Sequence, residues 1–305
     1  MGDHILPQVL LRGFAYNSFV NKQDAQIKVL TQTGVSIGLV KDLYQQNMFY
    51  SRETEAMLDH DYEQPFGIIK KKLIESLIVS DLDEYSLSTI EYFLLIKFFV
   101  ILWRRNEVHI EKTVGIVKAI MEDSYLRPML KPENQNKTSD ELTNSIKQNL
   151  QEEVYHKIIS ETNNDDPTVQ KTFHLYTPII VINHCEITFP LHNKYATAQQ
   201  RINEDPEYPR MTIEPITNRI YMVFKRQESH YDEKTQVPIK VIHLHETFDV
   251  EAMIGLYLIP GLKSIVVDDS NWVFVNDIMD NIFDKRKLVG KRKLQSLLQK
   301  LEIEL

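Results

Sequence analysis

Cysteine is almost missing from this chain: Cys185 is the only one in 305 residues. That excludes an intrachain disulfide framework and fits a reducing compartment. Glycine is scarce, at 9 residues, which argues against glycine-rich phosphate cradles and folds built on many tight loops. No apolar run is long enough to cross a bilayer. The strongest, Phe93 to Trp103, is too short and is interrupted by Lys97. The opening carries Asp3, His4 and Arg12 where a secretory leader has a basic stretch and then an apolar one. The expectation is therefore a cytoplasmic protein with no membrane partner. Walker A, Rossmann, H-E-x-x-H, C-x-x-C and G-x-S-x-G patterns are all absent. This disfavours the commonest ATPases, dehydrogenases, zincins and α/β-hydrolases. It leaves open enzymes whose sites are scattered acids and bases, nucleases among them. A net charge of -8 does not demand a nucleic-acid partner, although local basic patches are compatible with it.

What is present is concentrated at the start. The first fourteen residues, M-G-D-H-I-L-P-Q-V-L-L-R-G-F, bring His4, Pro7, Gln8, Leu11, Arg12 and Phe14 close together. A free N-terminus is usually frayed. This one carries large apolar groups and a rigid proline, so it is expected to be tied into the core. Residues 25 to 40 then alternate around Thr33-Gly34. Ala25, Ile27 and Val29 facing Val35, Ile37 and Leu39 predict a β-hairpin.

A helical region is predicted from Glu53 to Ile159. One helix carries Met57, Leu58, Ile68, Ile69, Leu73 and Leu77, with Pro65 breaking or kinking its early part. The next starts near Ser88, where Glu91 three residues on completes a capping box. Further helices are expected over 108–121 and 139–159, separated by the polar loop 131–140. The second half switches to strand periodicity around Ile179-Ile180-Val181-Ile182, 211–224, 237–244 and 264–267. A short helix is expected at 249–258 and a leucine-striped one at 285–305. The fold class is α+β: a β-hairpin, a central helical layer, a mixed sheet and a terminal helix. One domain over 1–305 is expected, with a helical subdomain at 52–162 as the alternative.

Several groups have the chemistry for a site. His4 can bind a metal or transfer a proton, and Arg12 can clamp a phosphate or carboxylate. The same two residues can simply pin the terminus. Glu53, Glu55, Asp59, Asp61 and Glu63 form an acidic cluster. His4, Glu55 and Glu63 together make a Mg²⁺ or Mn²⁺ ligand set. Glu55 and Glu63 are eight residues apart, however, an offset of about 80° on a straight helix. They share a direction only if the helix bends. The alternative is a solvated face or partners for Arg12 and Arg104. Of Arg104 and Arg105, adjacent on a helix, at most one faces a pocket. His243 and His245 alternate in a strand and share a face, so with His184 or His192 they offer the ligands of a zinc or manganese site; the alternative is a chance or purely structural H-x-H pair. Basic clusters at 70–72, 285–287 and 291–293 are phosphate contacts or solvated surface.

The opening resembles that of a family of uncharacterised bacterial and phage proteins, a domain-of-unknown-function family. Its members begin with a pattern close to H-Y-V-P-Q-x-x-L-R-x-F. Phe49-Tyr50-Ser51 is similar to the family's F-Y-S segment, Glu55 and Glu63 to its two spaced glutamates, and Arg104-Arg105 to an arginine-containing segment. Glu214 to Arg219 resembles its P-L-S-P segment. Where members have an F-I-T-S-D-N-P-like segment this chain has F-P-L-H-N-K over 189–194. The aspartate is missing, Asn193 is the surviving polar match, and His192 is the replacement to consider as a ligand-binding group. The resemblance implies a fold and almost no biochemistry. Two readings remain open. One is a binding or regulatory protein, with a place in bacterial or phage defence conflict and a protein or nucleic-acid partner. The other is a metal-dependent phosphodiesterase or nuclease acting through His4, Arg12, Glu55, Glu63 and Arg104.

Overall fold

A computed structural model describes residues 3–4, 7–15, 24–31, 33–43, 45–46, 52–78, 80–104, 119, 122, 127–129, 132–138, 140–142, 159–192, 197–199, 211–227, 236–258, 264–275 and 291–303. The fold is α+β, with helices on sheets of mixed and antiparallel strands. The predicted helices over 108–121 and 139–159 fall mostly outside the described residues.

Strand β1 (Asp3–His4) pairs antiparallel with β4 (Gln45–Gln46). Helix α1 (Gln8–Leu11) follows Pro7 and runs into a 3₁₀ turn over Arg12–Phe14. The expected hairpin is β2 (Gln26–Thr31) and β3 (Gly34–Leu39). Gly34 sits at φ 125°, a conformation open to glycine and strained for other residues. The cross-strand register differs from the expected one. Ile27 pairs with Gly38 and Val29 with Ser36. Ile27 and Val29 are buried, while Val35 and Ile37 are exposed. A one-residue change of register puts the apolar groups of the two strands on opposite faces. The hairpin continues into β12 (Ser264–Val267) and β7 (Leu191–His192), giving the antiparallel order β3-β2-β12-β7.

Helix α2 (Arg52–Leu58) does not break at Pro65. It passes through one π-helical turn, Asp59–Glu63, into α3 (Gln64–Leu77). The turn lies just before the proline, which has no N–H to give and crowds the preceding carbonyls. Thr54, Leu58, Tyr62 and Phe66 are buried at a spacing of four through the turn, and Ile69, Leu73 and Leu77 continue the stripe. Ile68, expected in the apolar face, is 61% exposed.

Strand β5 (Glu84–Ser88) leads into α4 (Thr89–Arg104). The capping box forms: Ser88 N–H donates to Glu91 Oε2 at 3.0 Å, and Glu91 N–H donates to Ser88 Oγ at 3.2 Å. Helix α4 is apolar nearly all round because it is covered on several sides. Phe98 stacks on Phe66 with centroids 3.8 Å apart, Phe93 stacks on Phe173 of α5 (Pro167–Leu175) at 4.3 Å, and Phe99 meets Phe224 edge-on.

The main sheet has the order β5-β11-β6-β10-β9-β8. Its strands are β6 (Tyr176–Asn183), β8 (Thr197–Gln199), β9 (Met211–Pro215), β10 (Ile220–Arg226) and β11 (Gln236–Leu244) beside β5. Only β6 and β11 run parallel among these pairs. Parallel neighbours need a crossover, and β9 and β10 lie within it. Strands β6, β9 and β10 are buried almost throughout, which explains the β-branched run Ile179-Ile180-Val181-Ile182 of β6 and the apolar start of β10. Helix α6 (Thr247–Tyr257) packs on α7 (Lys291–Lys300), where Lys300 pairs with the buried carboxylate of Asp249.

Candidate functional site

The N-terminal segment is folded into the core. Leu10 and Leu11 N–H groups both donate to Pro7 O at 3.0 Å, and Leu10, Leu11 and Phe14 are buried. The segment lies on α3, where Lys70 Nζ donates to Val9 O at 2.6 Å. On its other side, Asn218 N–H donates to Gly13 O at 2.9 Å. A Cβ on Gly13 would stand 2.8 Å from Lys70 Nζ and 2.9 Å from Ile216 O. Glycine is therefore required here by close approach to both α3 and the 216–219 turn.

Two basic side chains, Arg12 and Lys70, lie under this segment within reach of each other's charge. Arg12 is half-buried and donates through Nη2 to Gln8 Oε1 at 2.7 Å, while its Nε is buried with no hydrogen-bond partner. Burial and, second, the Arg12 charge push the Lys70 ammonium down to about 7. Among the described residues no carboxylate pairs with either group. Lys71 and Lys72, by contrast, point outward and pair with Glu75 and Glu91.

The π turn changes the geometry of the acidic cluster. It inserts one residue, so the eight-residue spacing of Glu55 and Glu63 rotates like seven residues, an offset of about 20°. Each follows a buried member of the stripe, Thr54 and Tyr62, and each is half-buried. They therefore share one flank of the α2–α3 rod. Lys70 lies on the same flank, seven residues past Glu63 and roughly 10 Å further along the axis. The N-terminal segment crosses the rod at Gly67 and Lys70, about one and two turns beyond Glu63.

Beyond the 216–219 turn lies a buried acid, Glu214, which in sequence stands out only as the start of the segment resembling the family's P-L-S-P. Glu214 is fully buried on β9 and accepts from the Trp103 indole N–H at 2.9 Å. Burial pushes its carboxyl up to about 8, with Trp103 and the neighbouring Thr212 hydroxyl pulling the other way. Oε2 and the Thr212 hydroxyl each lack a hydrogen bond of good geometry. Glu214 is a neutral, proton-holding acid near pH 7.

His243 and His245, at the end of β11, are joined by His184 from the end of β6. His192 goes elsewhere: it is buried in β7 and stacks on Tyr257 with centroids 4.2 Å apart. Phe189, Pro190 and Leu191 are buried with it. That segment forms an inner wall around Tyr221, whose hydroxyl donates to Pro190 O.

Arg12, Glu55 and Glu63 thus fall along one helical rod and the segment laid over it. His4 lies in β1 and Arg104 ends α4, but their side chains lie outside the described residues, as do Arg105, Asn193 and the segment 49–51. The basic groups at 285–287 lie outside them too. Lys70 was read from sequence as part of a surface cluster. The missed signal is its place in the stripe Phe66, Lys70, Leu73, Leu77, at helical spacing inside the buried face.

One family model, described as "Protein of unknown function (DUF4238)", matches residues 3–254. No curated protein and no solved structure matches the chain. Among the described residues, no helix is long and apolar enough to cross a membrane.

Proposed function

The chain belongs to the DUF4238 family, and on the geometry of its N-terminal segment we propose that it is a binding or regulatory protein for a ligand bearing a phosphate or carboxylate group. The observation that carries this reading is the Arg12–Lys70 pair. Two basic groups, one buried and one half-buried, lie within electrostatic reach of each other with no acid paired to either among the described residues. Unpaired charge away from water is costly. An anion between the two groups would relieve that cost, and the guanidinium supplies a fork for two oxygens. The half-buried Arg12 gives the ligand a way in. Apolar residues from Leu10 to Leu301 belong to one buried cluster, which supports reading the chain as one unit around this site. The single buried cysteine supports a cytoplasmic setting.

Titration of the full chain with pyrophosphate and with citrate distinguishes a phosphate from a carboxylate preference. Arg12→Gln is expected to weaken the preferred anion by tenfold or more. Equal binding by the variant would contradict the assignment. Binding of a nucleic acid instead of either small anion would identify the ligand as a polyanion.

A second reading has its own observation. The π turn sets Glu55 and Glu63 on one flank of the α2–α3 rod, which the N-terminal segment crosses further along, and this shared direction supports a metal-dependent phosphodiesterase with His4 as a third ligand. Mg²⁺- or Mn²⁺-dependent hydrolysis of bis-p-nitrophenyl phosphate, lost in Glu55→Gln, is the result this reading requires.

A further inference from the structure

We propose that His184, His243 and His245 form a site for a divalent transition metal of the zinc class, with a fourth position open to solvent. Ligand nitrogens from all three lie within 4.8 Å of one another. The site is independent of the N-terminal segment and of the reading above.

The backbone assembles it. Strands β6 and β11 run parallel with His243 opposite Ile182 and Leu244 opposite Asn183. Both strands end together, and His184 N–H donates to Leu244 O at 3.0 Å. His184 is therefore held beside the His243 and His245 pair, which share a face because they alternate. Carboxyl ends of adjacent parallel strands are a recurrent place for ligands.

The chemistry is that of a histidine metal centre. His243 Nε2 lies 3.0 Å from Leu82 O, so that nitrogen carries the proton and donates it. Nδ1 is left bare, aimed at His184 Nε2 at 2.7 Å. A backbone carbonyl orienting the distal nitrogen is the usual support for a metal-bound histidine. Without metal, His184 must supply the bridging proton. With metal, the cation takes that proton's place, and the exposed His184 ring carries its proton on Nδ1. On His184 the change is a shift of tautomer. Burial first, then the neighbouring His245 and His243, hold the His184 ring below its ordinary range.

Tetrahedral zinc at its usual bond length places ligand nitrogens roughly 3.3 Å apart. The 2.7 Å pair must open and the wider separations must close. The rings lie 11° and 26° from parallel with His184, so they turn about χ2 to aim at one point. His184 and His245 are exposed and can turn. Asp81 and Arg219 also act on the His184 ring, with opposite signs. Zinc, cobalt and nickel suit imidazole ligands, whereas Mg²⁺ and Ca²⁺ prefer oxygen.

The test uses the full, tag-free chain. Zn²⁺ is titrated against a chromogenic chelator, and Co²⁺ is added for its visible absorption. One equivalent is expected to bind, with intense Co²⁺ bands of a four-coordinate site. His245→Ala removes an exposed ring and keeps the fold, and is expected to raise the dissociation constant by about 100-fold or more. His174→Ala, at an exposed site on α5, is expected to change nothing. No binding, or equal binding by His245→Ala and wild type, would overturn the site and leave the three rings as a hydrogen-bonded stack.

Discussion

Lys70 lies within reach of the Arg12 charge beneath the N-terminal segment, with Lys70 Nζ held 2.6 Å from Val9 O and its ammonium pushed down to about 7 by burial and, second, by Arg12. The group titrates lower folded than unfolded, so the folded state favours the uncharged amine. The stability this supplies is full above the unfolded value of 10.5. It is lost as pH falls through about 7. Lys70→Met lacks this dependence. The stability of the variant relative to wild type is expected to rise as pH is lowered from 10 to 7, by up to about 1.4 kcal/mol per unit. Urea unfolding at several pH values measures it. A constant difference would contradict the buried-amine assignment.

Glu214 works in the opposite sense. Its carboxyl is raised from 4.5 to about 8, so its contribution is full below 4.5 and declines as pH rises through 8. Glu214→Gln keeps an acceptor for Trp103 and removes the titration. The variant is expected to gain on wild type by a few kcal/mol between pH 5 and 8. Denaturant midpoints of the two proteins that move in parallel over that range would sink the idea.

Gly13 is the contact point of three elements. Gly13→Ala sets a Cβ 2.9 Å from the Ile216 carbonyl and 2.8 Å from Lys70 Nζ. The lysine tip can shift, but the carbonyl is backbone. A loss of about 1–3 kcal/mol is expected, with weaker anion binding. A thermal scan that leaves the midpoint in place would show that the 216–219 turn yields.

The capping box of α4 is a local feature whose one longer-range tie is the Lys72 pair with α3. Glu91→Ala removes the acceptor of Ser88 N–H and the partner of Lys72. A cost of about 1 kcal/mol is expected, with no effect on anion binding. If the anion affinity also changed, α4 would be coupled to the site.

The capping box, the hairpin ends and the buried strands were legible because each is written in a few consecutive residues. So was the sharing of a face by His243 and His245. The hairpin register was not, because Val35 and Ile37 are apolar yet exposed and alternation alone does not choose a face. The alignment of Glu55 with Glu63 was hidden because it depends on an extra residue in one turn near Pro65. Lys70 was hidden in a run of three lysines, two of which do face water. Sequence named His184 and His192 as alternative partners for the His243 and His245 pair, and only the parallel pairing of segments about sixty residues apart, which local periodicity does not encode, selects His184.

The most direct measurement is sulfate binding to wild type and Lys70→Met across pH 6 to 9. Sulfate keeps its charge over this range, so the protein alone sets the dependence. Wild type is expected to bind tightly at pH 6 and to lose up to tenfold per unit above about 7, as the lysine must take up a proton to bind. Lys70→Met is expected to bind weakly with no such slope. Wild-type affinity independent of pH, or equal to that of Lys70→Met, would contradict an anion site built on Arg12 and Lys70.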